Sequence, residues 1–411
     1  MPMLSTNKYI IAFKVLLIFA CFITYSCIFC SNAAFAENKH KPKYSFKRMP
    51  NFKIPRSGGA TATVLKDGRV LFTGGIFSPL NSTNSAEIYD PVKKVFIKLP
   101  NMNESRTLHS AVLLSNGDVL ISGGEKHERG KGFDFLKSAE IYNTKENKFV
   151  KINDMQEVMS LHKMYTLPNN NIVALKNPNE IQIFDIKTNT FKKMQGMPYD
   201  STGSSYEFLE LNDDEILMYP FHYEKGKNPI VVFNKKDLSL NKLDINPFQN
   251  IKYNTNLSQY TINQLKNERS GYAVAKVSGS EIFVSGGEGG YLNGCWTTIK
   301  VNIDTKEETV TPFLPYKHRR YNFSAISLDD GNVLLLGGES GSDFSLKTLK
   351  TTLLYINSEN KLLKFKNMKR SRAFASFVKL NNGNYIIWGG CNAFGHLYPP
   401  EMLVVKRKLK K

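Results

Sequence analysis

Cysteine is scarce: five in 411 residues, three of them (Cys21, Cys27 and Cys30) inside one N-terminal apolar run. The other two, Cys295 and Cys391, cannot make a disulfide scaffold, and no Cys/His spacing matches a zinc site. Histidine (7) and tryptophan (2) are few, which leaves little for a histidine-rich metal centre. Acidic residues are outnumbered, 36 against 55 Lys and Arg; the resulting net charge of +19 favours anionic partners without bearing on fold. Only one segment is apolar enough to enter a bilayer, so a polytopic membrane protein is excluded. No phosphate-binding loop, dinucleotide fingerprint or serine elbow is present. The glycine-rich GEGGYLNG (287–294) follows a strand pattern and precedes no helix. What remains is 41% apolar residues, ample for a core.

The apolar segment, 15–30, follows Lys8 and Lys14 and leads into SNAAFAEN, with Ala34 and Ala36 at the −3 and −1 positions. That order predicts a secretory signal over 1–36, cut before Glu37. Left uncut, residues 9–30 are a membrane anchor. Either way the chain is expected outside the cytoplasm, in a periplasm, secreted or on a cell surface. A basic linker, 37–43, follows, and KRKLKK (406–411) ends the chain.

The rest repeats itself. DGRVLFTGG (67–75), NGDVLISGG (116–124), SEIFVSGG (280–287), DGNVLLLGG (330–338) and NGNYIIWGG (382–390) share a turn, an apolar β-forming run and two glycines. NNNIVALKN (169–177) and DDEILMYPF (213–221) keep the turn and strand but not the glycines. Another strand follows in each unit and often ends in an aromatic, as in SAEIYDP and SAEIYNT, with a further apolar residue some seven positions on; an apolar strand also precedes every turn. Four strands per unit and seven units predict an all-β, seven-bladed propeller over 44–411, six blades being the alternative. Residues 44–56 look like a last strand with nothing before it, while the final unit has only three. An N-terminal strand completing the last blade would close the ring. The step between units four and five is the longest, which marks an insertion at about 241–269.

These units resemble the kelch repeat, and the DGRVLFTGG style resembles bacterial secreted kelch proteins and galactose-oxidase-like propellers. One departure is the usual fourth-strand tryptophan, replaced here by Phe, Leu or Val. The resemblance implies a propeller, and two activities can be weighed against it. RRYNFSAISLDDG (319–331) resembles the copper-oxidase stretch Arg-x-Tyr-His-Ser, with Tyr321 on the tyrosine but Asn322 on the histidine ligand. An amide oxygen is a poor copper ligand, so this becomes an oxidase that has lost metal ligands. An epimerase or mutarotase for an acidic sugar such as sialic acid needs an acid/base pair, and no channel-facing carboxylate stands out in the sequence. No catalytic residue, metal or cofactor is assigned, and the balance leans against an enzyme.

One register carries a binding expectation. Arg106, Arg269, Arg320 and Arg372 stand eleven residues before the turn, with Arg56 at twelve. Each is at the start of an innermost strand, so ring closure would gather them at one channel mouth. With Tyr321 beside them, they would form a cationic collar for carboxylates or sulfates; the structural alternative is that they cap carbonyls or pair with acids. His109 and His162 share a later register and read as packing residues. The expectation is thus an exported binding or interaction protein that recognises a protein or anionic glycan through its loops and channel mouth. Specific nucleic-acid recognition is not expected.

Overall fold

The computed structural model describes residues 44–78, 81–197, 205–248, 268–288, 298–311, 320–341, 347–391 and 399–405. The leader, both basic termini, most of the 241–269 insertion and Cys295 lie outside them. The described residues form seven antiparallel sheets of the same meander, with almost no helix. Blade one is Thr61–Val64, Val70–Thr73, Ala86–Asp90 and Val95–Lys98. Blade two is Ser110–Leu113, Val119–Ser122, Ala139–Asn143 and Lys148–Lys151. Blades three to six begin on Lys163–Thr166, Tyr206–Glu210, Glu268–Ser278 and Ser324–Ser327. Ring closure is as the sequence implies. Blade seven takes Ala373–Lys379, Tyr385–Cys391 and Glu401–Val405 from the C-terminal end and Tyr44–Arg48 as its fourth strand.

The apolar run before each glycine pair is the second strand of its blade. Val70–Thr73, Val119–Ser122 and Val333–Leu336 are buried on both faces, because neighbouring blades cover both. This explains a continuous rather than alternating pattern. The core therefore lies between blades: Leu71 and Ile88 of blade one share a cluster with Val119, Ile121 and Tyr142 of blade two. At the closure Phe72 of blade one meets Trp388 of blade seven edge to face, centroids 5.3 Å apart.

The glycine pairs stitch the blades. In blade one Gly75 N–H donates to the carbonyl of Arg106, where blade two begins, at 2.9 Å. Gly124, Gly287 and Gly338 donate in the same way to Met159, Arg320 and Arg372 at 2.7, 3.1 and 2.7 Å. The first glycine of each pair has no room for a side chain: a Cβ on Gly123, φ +60°, would lie 2.3 Å from Met159 O. Blade three shows why a pair can be lost. Its second and third strands, Ile172–Asn177 and Glu180–Asp185, are joined by a tight Pro178-Asn179 turn instead of a glycine-pair link. Blade four loses its pair differently. After Glu215–Pro220 the chain leaves the blade, and His222–Glu224 joins the edge of blade five's sheet.

Candidate functional site

In a four-stranded meander the links between strands two and three, and between strand four and the next blade, lie on one face. Arg56, Arg106, Arg320 and Arg372 stand on the links to that face and Arg269 at the start of blade five's first strand, and all are at most 1% exposed. Each reaches into its own blade and donates from Nη1 to the first carbonyl of the glycine pair. The bonds are Arg56 to Gly74 O (2.7 Å), Arg106 to Gly123 O (2.7 Å), Arg269 to Gly286 O (3.3 Å), Arg320 to Gly337 O (3.0 Å) and Arg372 to Gly389 O (2.8 Å).

Three of them also pair with a buried glutamate on the third strand of the same blade: Arg56–Glu87 at 2.8 Å, Arg106–Glu140 at 2.9 Å and Arg372–Glu401 at 3.3 Å. Each glutamate in turn accepts backbone N–H groups from the incoming link, Lys53 and Ile54 for Glu87, Asn103 for Glu140, Lys369 and Arg370 for Glu401. Buried charges need such pairing, since an unpaired ion in the interior is costly. In blade five Phe248 lies against the Arg269 guanidinium, 4.2 Å from ring centroid to carbon. In blade six Arg320 donates to Thr351 O and Oγ1, and burial lowers its pKa to about 9, still cationic at neutral pH.

The sequence expectation of an open collar is corrected here. Arg106, Arg269, Arg320 and Arg372 share the register, but their guanidiniums are struts folded into the blades. Tyr321 is also buried, at 5% exposure, with its backbone bridged to Glu339. His109 and His162 lie inside: His109 Nε2 lies 2.9 Å from Thr73 Oγ1, and His162 Nε2 lies 3.0 Å from Ser122 Oγ. Burial holds His109 well below the ordinary imidazole range and brings His162 to about 3.

What the mouth does present stands two or three residues past each arginine register position. Gly59, Leu108, Leu161, Gly271, Asn322 and Phe374 all have φ between +52° and +67°. Their backbones form a chain around the axis: Leu108 N to Gly59 O (2.8 Å), Leu161 N to Leu108 O (2.9 Å), Gly271 N to Phe221 O (3.2 Å), Asn322 N to Gly271 O (2.9 Å) and Phe374 N to Asn322 O (2.8 Å). Leucine and phenylalanine are held here in a conformation that costs each roughly 1–2 kcal/mol. Leu161 and Phe374 are 44% and 51% exposed. Phe221, on the link between strands two and three of blade four, and Phe374, opening blade seven, meet across the mouth with centroids 6.4 Å apart. Among the described residues, Leu161, Phe221 and Phe374 give this rim an apolar character.

Two carboxylates stand behind this rim, each directly after a glycine pair. Glu125 accepts from Ser160 Oγ at 2.6 Å and sits 2.7 Å from His127 Nε2. Glu339 accepts from Asn322 Nδ2 at 2.9 Å, and burial pushes its carboxyl pKa up. The residue on the copper-ligand position, Asn322, is thus engaged with Glu339. Among the described residues no group of three or more His, Cys, Asp or Glu is placed to hold a metal ion. These carboxylates were missed in the sequence, although a glutamate recurs after the glycines at 125, 288 and 339.

Comparison with known proteins agrees with this geometry. The kelch motif matches residues 58–103, the span of blade one and its link to blade two. The chain is a seven-bladed β-propeller that carries a kelch motif in its first blade. Among solved structures, a fungal alcohol oxidase of the AA5 family in complex with copper superposes with a TM-score of 0.62 at 13% identity, over 88% of this chain and 76% of that one. The structure of YjhT is similar over 87% of this propeller and 97% of that chain, at 12% identity and a TM-score of 0.49. At 13% identity the likeness to the oxidase concerns the fold alone. No curated protein matches the sequence significantly.

Proposed function

We propose that this propeller is a binding protein that takes a protein partner on the face where the inter-blade links gather. One observation carries the proposal. Eleven large hydrophobic side chains are exposed among the described residues, and six of them, Phe77, Phe133, Phe135, Val158, Leu161 and Phe374, lie on that face. Exposed apolar and aromatic groups gathered on one face mark interaction sites, and aromatic anchors dominate binding energy. A protein surface answers this chemistry better than an anionic glycan does, because the guanidiniums that favoured a glycan are buried in their blades. The leader supports action outside the cytoplasm, which N-terminal sequencing of the mature protein tests.

The direct experiment compares capture by immobilised parent protein, a Leu161→Asp, Phe374→Asp variant, and a Val92→Asp, Val95→Asp variant whose substitutions lie away from that face. A partner held by the parent and the second variant but lost by the first supports the proposal. Equal capture by all three refutes it.

A second reading, acid/base chemistry on an acidic sugar, is favoured by Glu339, whose raised pKa makes it a proton donor nearer neutrality than an ordinary carboxyl. Turnover of a sialic acid anomer by the purified protein, abolished in Glu339→Gln, would establish it. Absence of turnover leaves binding as the function.

A further inference from the structure

The link between strands two and three of blade two is a hairpin, Glu125–Glu128 paired with Gly132–Phe135. Its two edges differ. Leu136 N–H bonds to Gly124 O, which sets the register, so the pairs 126/134 and 128/132 carry the bonds inside the hairpin. Residues 125, 127, 133 and 135 therefore turn their backbone groups outward. On the inner edge these groups are occupied: Glu125 exchanges bonds with Thr107 at 2.8 Å, His127 N–H donates to Ser82 Oγ at 3.0 Å, and Arg129 N–H donates to Asn81 Oδ1 at 3.0 Å. That edge is moored to blade one.

On the outer edge, the N–H and C=O groups of Phe133 and Phe135 face away from the hairpin, and no described residue bonds to them. All four residues of this strand are exposed. Phe133 and Phe135 share one face with their rings edge to face at 5.4 Å, and His127 lies 5.5 Å from Phe133 on the same face. The strand is short, but no proline or lysine stands in it, and Asp134 points to the opposite face.

We infer that this outer edge receives an extended segment of the partner protein by strand addition. The segment would present apolar side chains at alternate positions to pack on Phe133 and Phe135. Two donors and two acceptors spaced two residues apart call for another extended backbone, and the paired rings call for apolar side chains on one of its faces. A second copy of this chain is disfavoured, because two molecules of net charge +19 repel each other; the same charge favours a neutral or acidic segment. The inference rests on the partner-binding reading above and adds the mode and place of contact.

The test uses a synthetic peptide of alternating valine and threonine with glutamate at both ends, and the same peptide with alternate backbone amides N-methylated. Amide hydrogen exchange is followed residue by residue in the mature protein. Without peptide, Phe133 and Phe135 should exchange fast and Asp134 slowly. With the unmodified peptide, exchange at Phe133 and Phe135 should slow by about tenfold or more while Asp134 is unchanged. The methylated peptide should have no effect, and Phe135→Pro, which deletes an outward N–H together with one of the two rings, should abolish protection at Phe133. No protection by the unmodified peptide, or equal protection by both, would overturn the inference. So would protection without peptide that rises with protein concentration, which would assign the edge to a second copy. Each of these results leaves the Leu161→Asp, Phe374→Asp capture result standing or falling separately.

Discussion

Replacing Arg106 with alanine removes a buried guanidinium that holds four acceptors: Gly123 O at 2.7 Å, Glu140 Oε1 at 2.9 Å, Ser138 O at 3.2 Å and Ser138 Oγ at 3.2 Å. Glu140, 1% exposed, keeps only the two donors of Asn103, at 2.8 and 2.9 Å. Breaking a buried pair from one side leaves an uncompensated charge and costs about 3–5 kcal/mol. An entropy of unfolding of about 2.1 cal/mol/K per residue, over the roughly 300 described residues, converts this to a fall in Tm of roughly 5–8 °C. The assay is calorimetric melting of the mature protein at pH 7.5. Arg69→Ala provides the control: its pair with Asp67 is at 2.7 Å but half exposed, and exposed pairs contribute under about 1 kcal/mol. Arg69→Ala should shift Tm by no more than about 1 °C. If Arg106→Ala melts within 1 °C of the parent yet fails to bind an anionic ligand that the parent binds, the strut account is wrong and the open collar is restored.

Two further outcomes follow from the same geometry. Gly123→Ala should destabilise by about 2–4 kcal/mol, combining a left-handed φ with a Cβ driven into Met159 O, whereas Gly130→Ala, with nothing within 4 Å of a new Cβ, should cost about 1 kcal/mol; denaturant midpoints decide. His162 is neutral in the fold, with its pKa lowered to about 3, and ordinary when unfolded, so the unfolded chain binds the extra proton between those values. Its stabilisation is complete above about pH 6.5 and is lost as pH falls toward 3, roughly 2 kcal/mol by pH 5. His162→Gln should flatten this slope in urea titrations between pH 7.5 and 5, and an unchanged slope would contradict the burial.

The blades were legible because they rest on local chemistry. A turn that needs positive φ at Gly68, Gly117, Gly331 and Gly383, a strand covered on both faces and a glycine pair without room for Cβ all leave marks in composition. The arginine register was legible too, but not its direction: a guanidinium at a link can face water or fold inward, and the spacing is the same. The signal that settles it is the glutamate two residues before Tyr89, Tyr142 and Leu403, a charge at a covered position of a third strand, which requires a buried partner. The mouth was illegible for another reason. Leucine and phenylalanine disfavour left-handed backbone, so nothing local foretells Leu108, Leu161 and Phe374 there; ring closure imposes it. The open edge at Phe133 and Phe135 depends on hairpin register and on Ser82 from another blade, which spacing alone does not encode.

The central claim is that the partner sits on the face of the links, and an amide-exchange footprint of the captured complex tests it most directly. Protection is expected over 125–136, 158–162 and the start of Ala373–Lys379, with the opposite-face turns at 65–69, 91–94 and 114–118 unchanged. Protection confined to those turns, or to the outer strands Val95–Lys98 and Lys148–Lys151, would contradict it.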